Sequence, residues 1–207
     1  MLPIEIFYAI LLRTNESLKN TLRYFRNRSA QISESVYLPK ILETQFINGD
    51  DIYRVLKDLS PDLMVIWGNT IVKPRILATA KKAINLHMGL CPYYRGAIAN
   101  QHALMCHERD KIGATIHYAN ASVDQGNILA TVRADLSLSP RDLFCKLNDE
   151  AEKQYLDMAK RLFFGENLPG KLQDISVGKN FLLKHWTPKI RYKLARQILK
   201  WERTGTL

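Results

Sequence analysis

The sequence predicts an α/β domain in which helices flank a largely parallel sheet, and three observations lead there. Short apolar runs alternate with segments of helical periodicity along the chain. One run, Leu63–Trp67 (LMVIW), is apolar without a break, as expected of a strand covered on both faces. The helical segments also carry start and stop residues, such as Asp50-Asp51, Ser60-Pro61 and Ser139-Pro140.

The elements follow in order. Met1 to Leu12 (MLPIEIFYAILL) is apolar, but it contains Glu5, lacks a basic leader, and falls short of the ~20 residues of a membrane span. Ile4–Leu12 therefore reads as a buried first strand of a soluble, unprocessed, cytoplasmic chain. Asn15 or Ser17 caps a helix through Leu18, Leu22 and Phe25. Asp50-Asp51 open a helix carrying Ile52, Val55, Leu56 and Leu59, which Ser60-Pro61 stops. After Leu63–Trp67, Pro74 begins a short helix to about Lys82, and Ala83–His87 is the next strand. The loop CPYYRG leads to a helix over 97–108. Strands at Ala114–Ala119 and Ile128–Ala134 flank the loop Asn120–Asn127. Ser139-Pro140-Arg141-Asp142 places a cap, a first-turn Pro and an acid before a helix with Leu143, Leu147, Ala151, Tyr155, Ala159 and Leu162 on one face. Asn167-Leu168-Pro169-Gly170 ends that pattern, and a basic tail follows.

The 207 residues suit one globular domain, with 46% apolar and 24% charged residues and a net charge of +10. This composition excludes disorder, collagen and a disulfide scaffold. Cys91, Cys106 and Cys145 form no CxxC pair, so reduced thiols are expected and zinc is not. From Lys179 onward, eight Lys or Arg face one acid, Glu202. This tail is either an anion-binding arm or an amphipathic helix that packs Ile190, Leu194, Ile198 and Trp201 inward, and the helical spacing favours the second. No GxGxxG or P-loop follows any strand, so ordinary dinucleotide or NTP binding has no support.

Asn85 and His87 are polar residues two apart in an apolar strand, so they share one face near its carboxyl end. Ligands bind at that end of open α/β sheets, although hydrogen-bonded structural residues can have the same spacing. Two flanking segments add weight: INLHMGLCPYYRG, and GATIHYANASVDQGNILA, which holds His117 and Asp124. Together they resemble the two signature blocks of the folate-dependent formyltransferase family, N-x-H-x-x-x-x-P-x-[YF]-[RP]-G and G-x-[ST]-[IV]-H followed by D-x-G. A weaker likeness runs through Leu59–Leu63 and Gly68–Val72, so the resemblance covers about residues 55–165.

The resemblance implies a Rossmann-like formyltransferase fold with 10-formyltetrahydrofolate as co-substrate and no metal. It makes residues 1–165 the catalytic domain and 166–207 a basic C-terminal extension. Asn85 would position the formyl oxygen, His87 would stabilise the oxyanion and act as an acid, and Asp124 would be base and proton carrier. Thr70, Ile71, Val72 and Leu77, with Asn120, Ala121, Ser122 and Val123, would line the folate pocket. Core packing is the alternative for Ile71, Val72 and Leu77. Tyr94, Arg95 and His117 would contact the acceptor, with Arg95 on a phosphate or on a structural acid, and His117 in the site wall or structural. His102, Cys106 and His107 have a spacing that could hold a metal, but an ordinary helix is the expected reading.

The wording of the first block is closest to the sugar N-formyltransferases of surface-polysaccharide and lipopolysaccharide biosynthesis. The expected acceptor is thus a small-molecule amine, a nucleotide-linked amino sugar, and nucleic acid is not the expected partner. The alternatives are a methionyl-tRNA or other amine formyltransferase, or a trimmed, non-catalytic folate- or RNA-binding relative. The chain reads as lacking the family's first strand-helix unit, the early Gly-rich turn of the purine enzymes and the C-terminal barrel of the tRNA enzymes. The bared sheet edge would then favour a homodimer.

Overall fold

The computed structural model describes residues 41–205, the side chain of Arg141 excepted. The strand expected at Ile4–Leu12 and the helix expected from Asn15 or Ser17 lie outside these residues. Helix α1 (Asp50–Leu59) carries Asp50 and Asp51 in its first turn and Lys57 in its last, each complementing the helix dipole. Ser60 closes it in the left-handed region, with its N–H on the carbonyl of Leu56. Then come β1 (Leu63–Trp67), a single turn α2 (Pro74–Leu77) and β2 (Lys82–His87). A three-residue strand β3 (Tyr94–Gly96) precedes α3 (Ala99–Met105), β4 (Gly113–Tyr118) and β5 (Ile128–Arg133). The chain continues through α4 (Pro140–Phe163), a second three-residue strand β6 (Lys179–Phe181) and α5 (Pro188–Thr204).

The main sheet runs β1-β2-β4-β5. Only β1 and β2 are parallel; β2–β4 and β4–β5 are antiparallel, so the sheet of the described residues is mixed rather than largely parallel. The cause lies in the connections. The chain passes from β4 to β5 through a loop with no helix, and such a return is antiparallel. Strands β3 and β6, absent from the sequence reading, pair in parallel as a second sheet.

Among the described residues β1 is one of the two outer strands of this sheet, and only its Ile66 is buried while Val65 and Trp67 are about half exposed. The cover on both faces expected for Leu63–Trp67 is therefore incomplete among the described residues. Helix α4 starts as its sequence predicts, with the Ser139 hydroxyl accepting from the N–H of Asp142. Its predicted face (Leu143, Leu147, Ala151, Tyr155 and Leu162) is buried, with Ala159 at the margin, in one core with Ile84, Leu86, Ala114, Ile116 and Val132. The Tyr155 hydroxyl accepts from the N–H of Ile66 at 2.6 Å and lies 3.1 Å from the carbonyl of Ile84, tying α4 to both β1 and β2.

Helix α5 buries Leu194, Ala195 and Trp201 and turns Lys193, Arg196 and Lys200 to solvent, the amphipathic arrangement its spacing favours. Its ends are also defined by sequence, with a Thr187 cap before Pro188 and Gly205 in the left-handed region. Among the described residues no helix is long and apolar enough to cross a membrane.

Candidate active site

Alternation along β2 sends Ile84 and Leu86 into the core and leaves Asn85 and His87 on the other face. The register of β4 places His117 opposite Asn85 and Thr115 opposite His87, so four polar side chains share that face. The loop after β4 folds back over them. Its first residue, Ala119, donates to the carbonyl of Ala83, and Gly126 backs onto Tyr118 so closely that any Cβ would collide with the Tyr118 backbone. This return delivers Asp124 onto the polar face in the left-handed region (φ 52°), a strained conformation for a residue with a side chain.

Asp124 is the hub of the cluster. Its Oδ2 accepts from the N–H of Gly96 at 2.7 Å and lies 3.3 Å from His87 Nδ1. Its Oδ1 accepts from Asn85 Nδ2 at 3.3 Å and lies 3.4 Å from His117 Nε2. Asn85 Nδ2 is also 3.2 Å from that His117 nitrogen, whose ring orientation is set by Nδ1 against the Tyr118 carbonyl at 2.8 Å. Burial alone would raise the Asp124 carboxyl. The hydrogen bond from His117, the charge of His87 and the Gly96 N–H outweigh it and hold the group below the usual carboxylate value.

His87 lies between two acceptors, Asp124 Oδ2 on Nδ1 and the Tyr94 carbonyl at 2.9 Å on Nε2. A neutral imidazole has one N–H and satisfies only one of them. The second is satisfied when a further proton sits on the ring or on the carboxylate. Burial pushes His87 down from its ordinary value, against the opposing pull of Asp124 and the Tyr94 carbonyl. The arrangement can therefore keep a neutral ring at neutral pH and pass one proton across a 3.3 Å gap. Beside it the Asn85 amide, held between Asp124 and His117, can meet developing negative charge by giving up one of those two partners. Cys91 supplies no nucleophile here, because burial and the Asp124 charge push its thiol up to about 12.

Asn85, His87, Asp124 and His117 thus converge as the sequence predicts. Thr70, Ile71 and Val72 lie on the loop leaving β1 beside the carboxyl end of β2, with Thr70 and Ile71 exposed and Val72 half-buried. Leu77 sits half-buried on α2. Asn120, Ala121 and Ser122 are exposed and Val123 is half-buried on the loop that carries Asp124. Tyr94 and Arg95, expected at the acceptor, turn their side chains elsewhere. Tyr94 is buried, with its hydroxyl on Glu108 and its ring stacked on Phe181, and offers the cluster its carbonyl instead. Arg95, 6% exposed, donates to the carbonyls of Ile175 and Gly178. His102, Cys106 and His107 do not converge: the His102 ring stacks on Phe181, and His107 faces Gln197.

Three residues outside the expected site set support the cluster and the loop beside it. Thr115 bridges the Gly89 carbonyl and the Cys91 N–H, fixing the turn after His87, and the G-x-[ST] pattern already singled out its position. Asn48 clamps the loop after β1, donating to the Ile71 carbonyl and accepting from the N–H of Lys73. Gln173 donates to the carbonyls of Asp124 and Gly126, and no local pattern marks it.

Residues 13–158 match the protein family described as formyl transferase. A methionyl-tRNA formyltransferase of Chlorobium phaeovibrioides is 29% identical over 129 residues, which is 62% of this chain and 40% of that protein. The chain thus spans less than half the length of that curated relative. The fold is shared with a sugar N-formyltransferase from Shewanella sp. (TM-score 0.56, 17% identity, 88% of this chain and 85% of that one). It is shared too with the formyltransferase PseJ from Anoxybacillus kamchatkensis, solved with UDP-4,6-dideoxy-4-formamido-L-AltNAc and tetrahydrofolate (TM-score 0.51, 23% identity, 79% and 82%).

Proposed function

The chain belongs to the formyl transferase family, and from that premise we propose that it moves a formyl group from 10-formyltetrahydrofolate to a primary amine. The observation that carries this reading is the convergence of Asn85, His87 and Asp124 on one face at the end of β2. Attack of the amine nitrogen on the formyl carbon turns the carbonyl oxygen into an oxyanion. In this reading the Asn85 amide, now on Asp124 and His117, and the His87 ring, now on Asp124 and the Tyr94 carbonyl, exchange one of those partners for the oxyanion. The attacking nitrogen then sheds a proton, which Asp124 accepts in its ionised form. Asp124 returns it to N10 of the folate as the carbon–nitrogen bond breaks, leaving a formamide and tetrahydrofolate. The exposed loop Thr70–Val72 and the segment Asn120–Val123 flank this face and form the walls for the folate ring in our reading.

For the acceptor we favour an amino sugar attached to a nucleotide. Support comes from the fold neighbours, which include a sugar N-formyltransferase and the enzyme PseJ solved with a UDP-linked formamido sugar. A tRNA acceptor draws on the higher identity of the methionyl-tRNA relative and on the exposed basic face of α5. Incubation with 10-formyltetrahydrofolate and either a panel of UDP-linked amino sugars or methionyl-tRNA separates the two. Formamide on a sugar is the expected product; formylation of the tRNA alone reverses the assignment, and turnover with neither removes both.

A further inference from the structure

Asp124 adopts a strained backbone conformation inside a loop, and that conformation persists only if its surroundings enforce it. Much of that enforcement comes from a strap of chain after α4, beyond the residues that match the family. The strap runs along the loop residue by residue. Asn127 donates to the Pro169 carbonyl at 3.1 Å, and Ile128 and Lys171 exchange two backbone hydrogen bonds at 2.8 and 2.7 Å. Two residues on, Gln173 is buried and spends both amide hydrogens on the loop, at 3.0 Å to Asp124 O and 2.6 Å to Gly126 O. The next stretch supports the other side of Asp124, for β6 pairs with β3, and Gly96 of β3 donates to Asp124 Oδ2.

We infer that Gln173 is a positioning residue for Asp124, holding the carboxylate against Asn85, His87 and His117 from the strap. This deepens the formyltransferase reading and rests on it for its kinetic consequence, while its structural consequence can be read without turnover. The groups facing the Asp124 carboxylate are Asn85 and His87 from β2, His117 from β4 and the Gly96 N–H from β3, with the Cys91 thiol against the Asp124 carbonyl. The strap's own charged residues, Lys171 and Asp174, are exposed. Loosening the strap therefore acts on Asp124 through geometry alone.

The test is a carboxyl NMR titration of labelled aspartate in the wild type, Gln173→Met and, as a control in the same strap, Ser176→Ala. Gln173→Met keeps the bulk and removes both donors. Asp124 should then titrate measurably higher, as its contacts with His117 and Gly96 lengthen, while Ser176→Ala leaves it unmoved. Where turnover is measurable, kcat should fall roughly tenfold to a hundredfold with KM within about twofold. A folded Gln173→Met with an unmoved Asp124 overturns the inference, whatever the turnover. If that variant does not fold, Asn127→Ala cuts the neighbouring tie, and a smaller upward shift supports the inference while none overturns it. Failure of the formyltransferase reading would show separately, as a wild type that turns over no acceptor.

Discussion

The polar cluster around Asp124 and the loop Thr70–Val72 lie at the same end of the sheet, yet they are held in opposite ways. Asn85, His87, His117 and Asp124 are largely buried, and every one is fixed by at least one hydrogen bond whose partner is itself anchored in a strand or the return loop. The loop after β1 exposes Thr70 and Ile71 and is clamped by the side chain of Asn48 across 71–73. The difference teaches where preorganisation is needed. Charge that develops during a reaction has to meet donors already in place, because reorienting them would raise the barrier. The loop proposed as a wall for the folate needs only the right shape, and an exposed clamp suffices for that.

If this contrast is right, damage to the cluster strikes turnover and damage to the clamp strikes binding. The largest effect belongs to Asp124→Asn, which keeps the shape and removes the proton acceptor: kcat should fall by roughly a thousandfold, within the span of general-base losses, with the folate KM nearly unchanged. Steady-state kinetics with a saturating acceptor decide this, and retention of more than a tenth of the rate would sink the assigned role. Asn85→Ala comes next, with a loss of roughly a hundredfold in kcat, the scale of one oxyanion donor. Asn48→Ala should raise the folate KM severalfold and leave kcat within about twofold, since the clamp shapes the loop without touching the cluster. A kcat collapse in that variant would mean that the two regions are mechanically one.

The smallest effect is a pH dependence of stability. His87 titrates lower in the folded chain than the ordinary value near 6.5, so below that pH the unfolded chain binds more protons and stability falls with acid. Asp124 is also held low, so its contribution is present at neutral pH and disappears only as pH drops through its depressed folded value. Both act in one direction, in two windows. Denaturant melts of wild type and His87→Gln between pH 7 and about 5 test the upper window, and the variant should show the flatter curve.

How much of this was legible in the sequence follows from the range over which each signal acts. The α4 start was written locally in Ser139-Pro140, and its buried stripe from Leu143 to Leu162 in the helical period. Asn85 and His87 were legible because strand alternation places residues two apart on one face, and the resemblance brought in Asp124 from a loop 37 positions beyond His87. Pairings between distant segments were not legible. Strands β3 and β6 have three residues each, too few for alternation to show, and they meet across most of the domain. For Arg95 the sequence leaves a phosphate and a structural acid both open, because no local pattern reveals that the carbonyls of Ile175 and Gly178 return to it. Gln173 stood in a polar stretch after Pro169-Gly170, and its value lies entirely in what folds back onto it. The direction of β4 likewise depends on a route that periodicity does not record.

In our proposal the face carrying Asn85, His87 and Asp124 is a folate-dependent formyl transfer site. Thermal stabilisation of the wild type and Asp124→Asn by 5-formyltetrahydrofolate, a stable stand-in for the reactive donor, tests it most directly. At a hundred times its Kd the ligand adds about 2.7 kcal/mol, an easily read rise in Tm. That rise is expected in both proteins, with formyl transfer only in the wild type. No rise in either at millimolar ligand would contradict it, since the cluster would then stand without the co-substrate its geometry is read to serve.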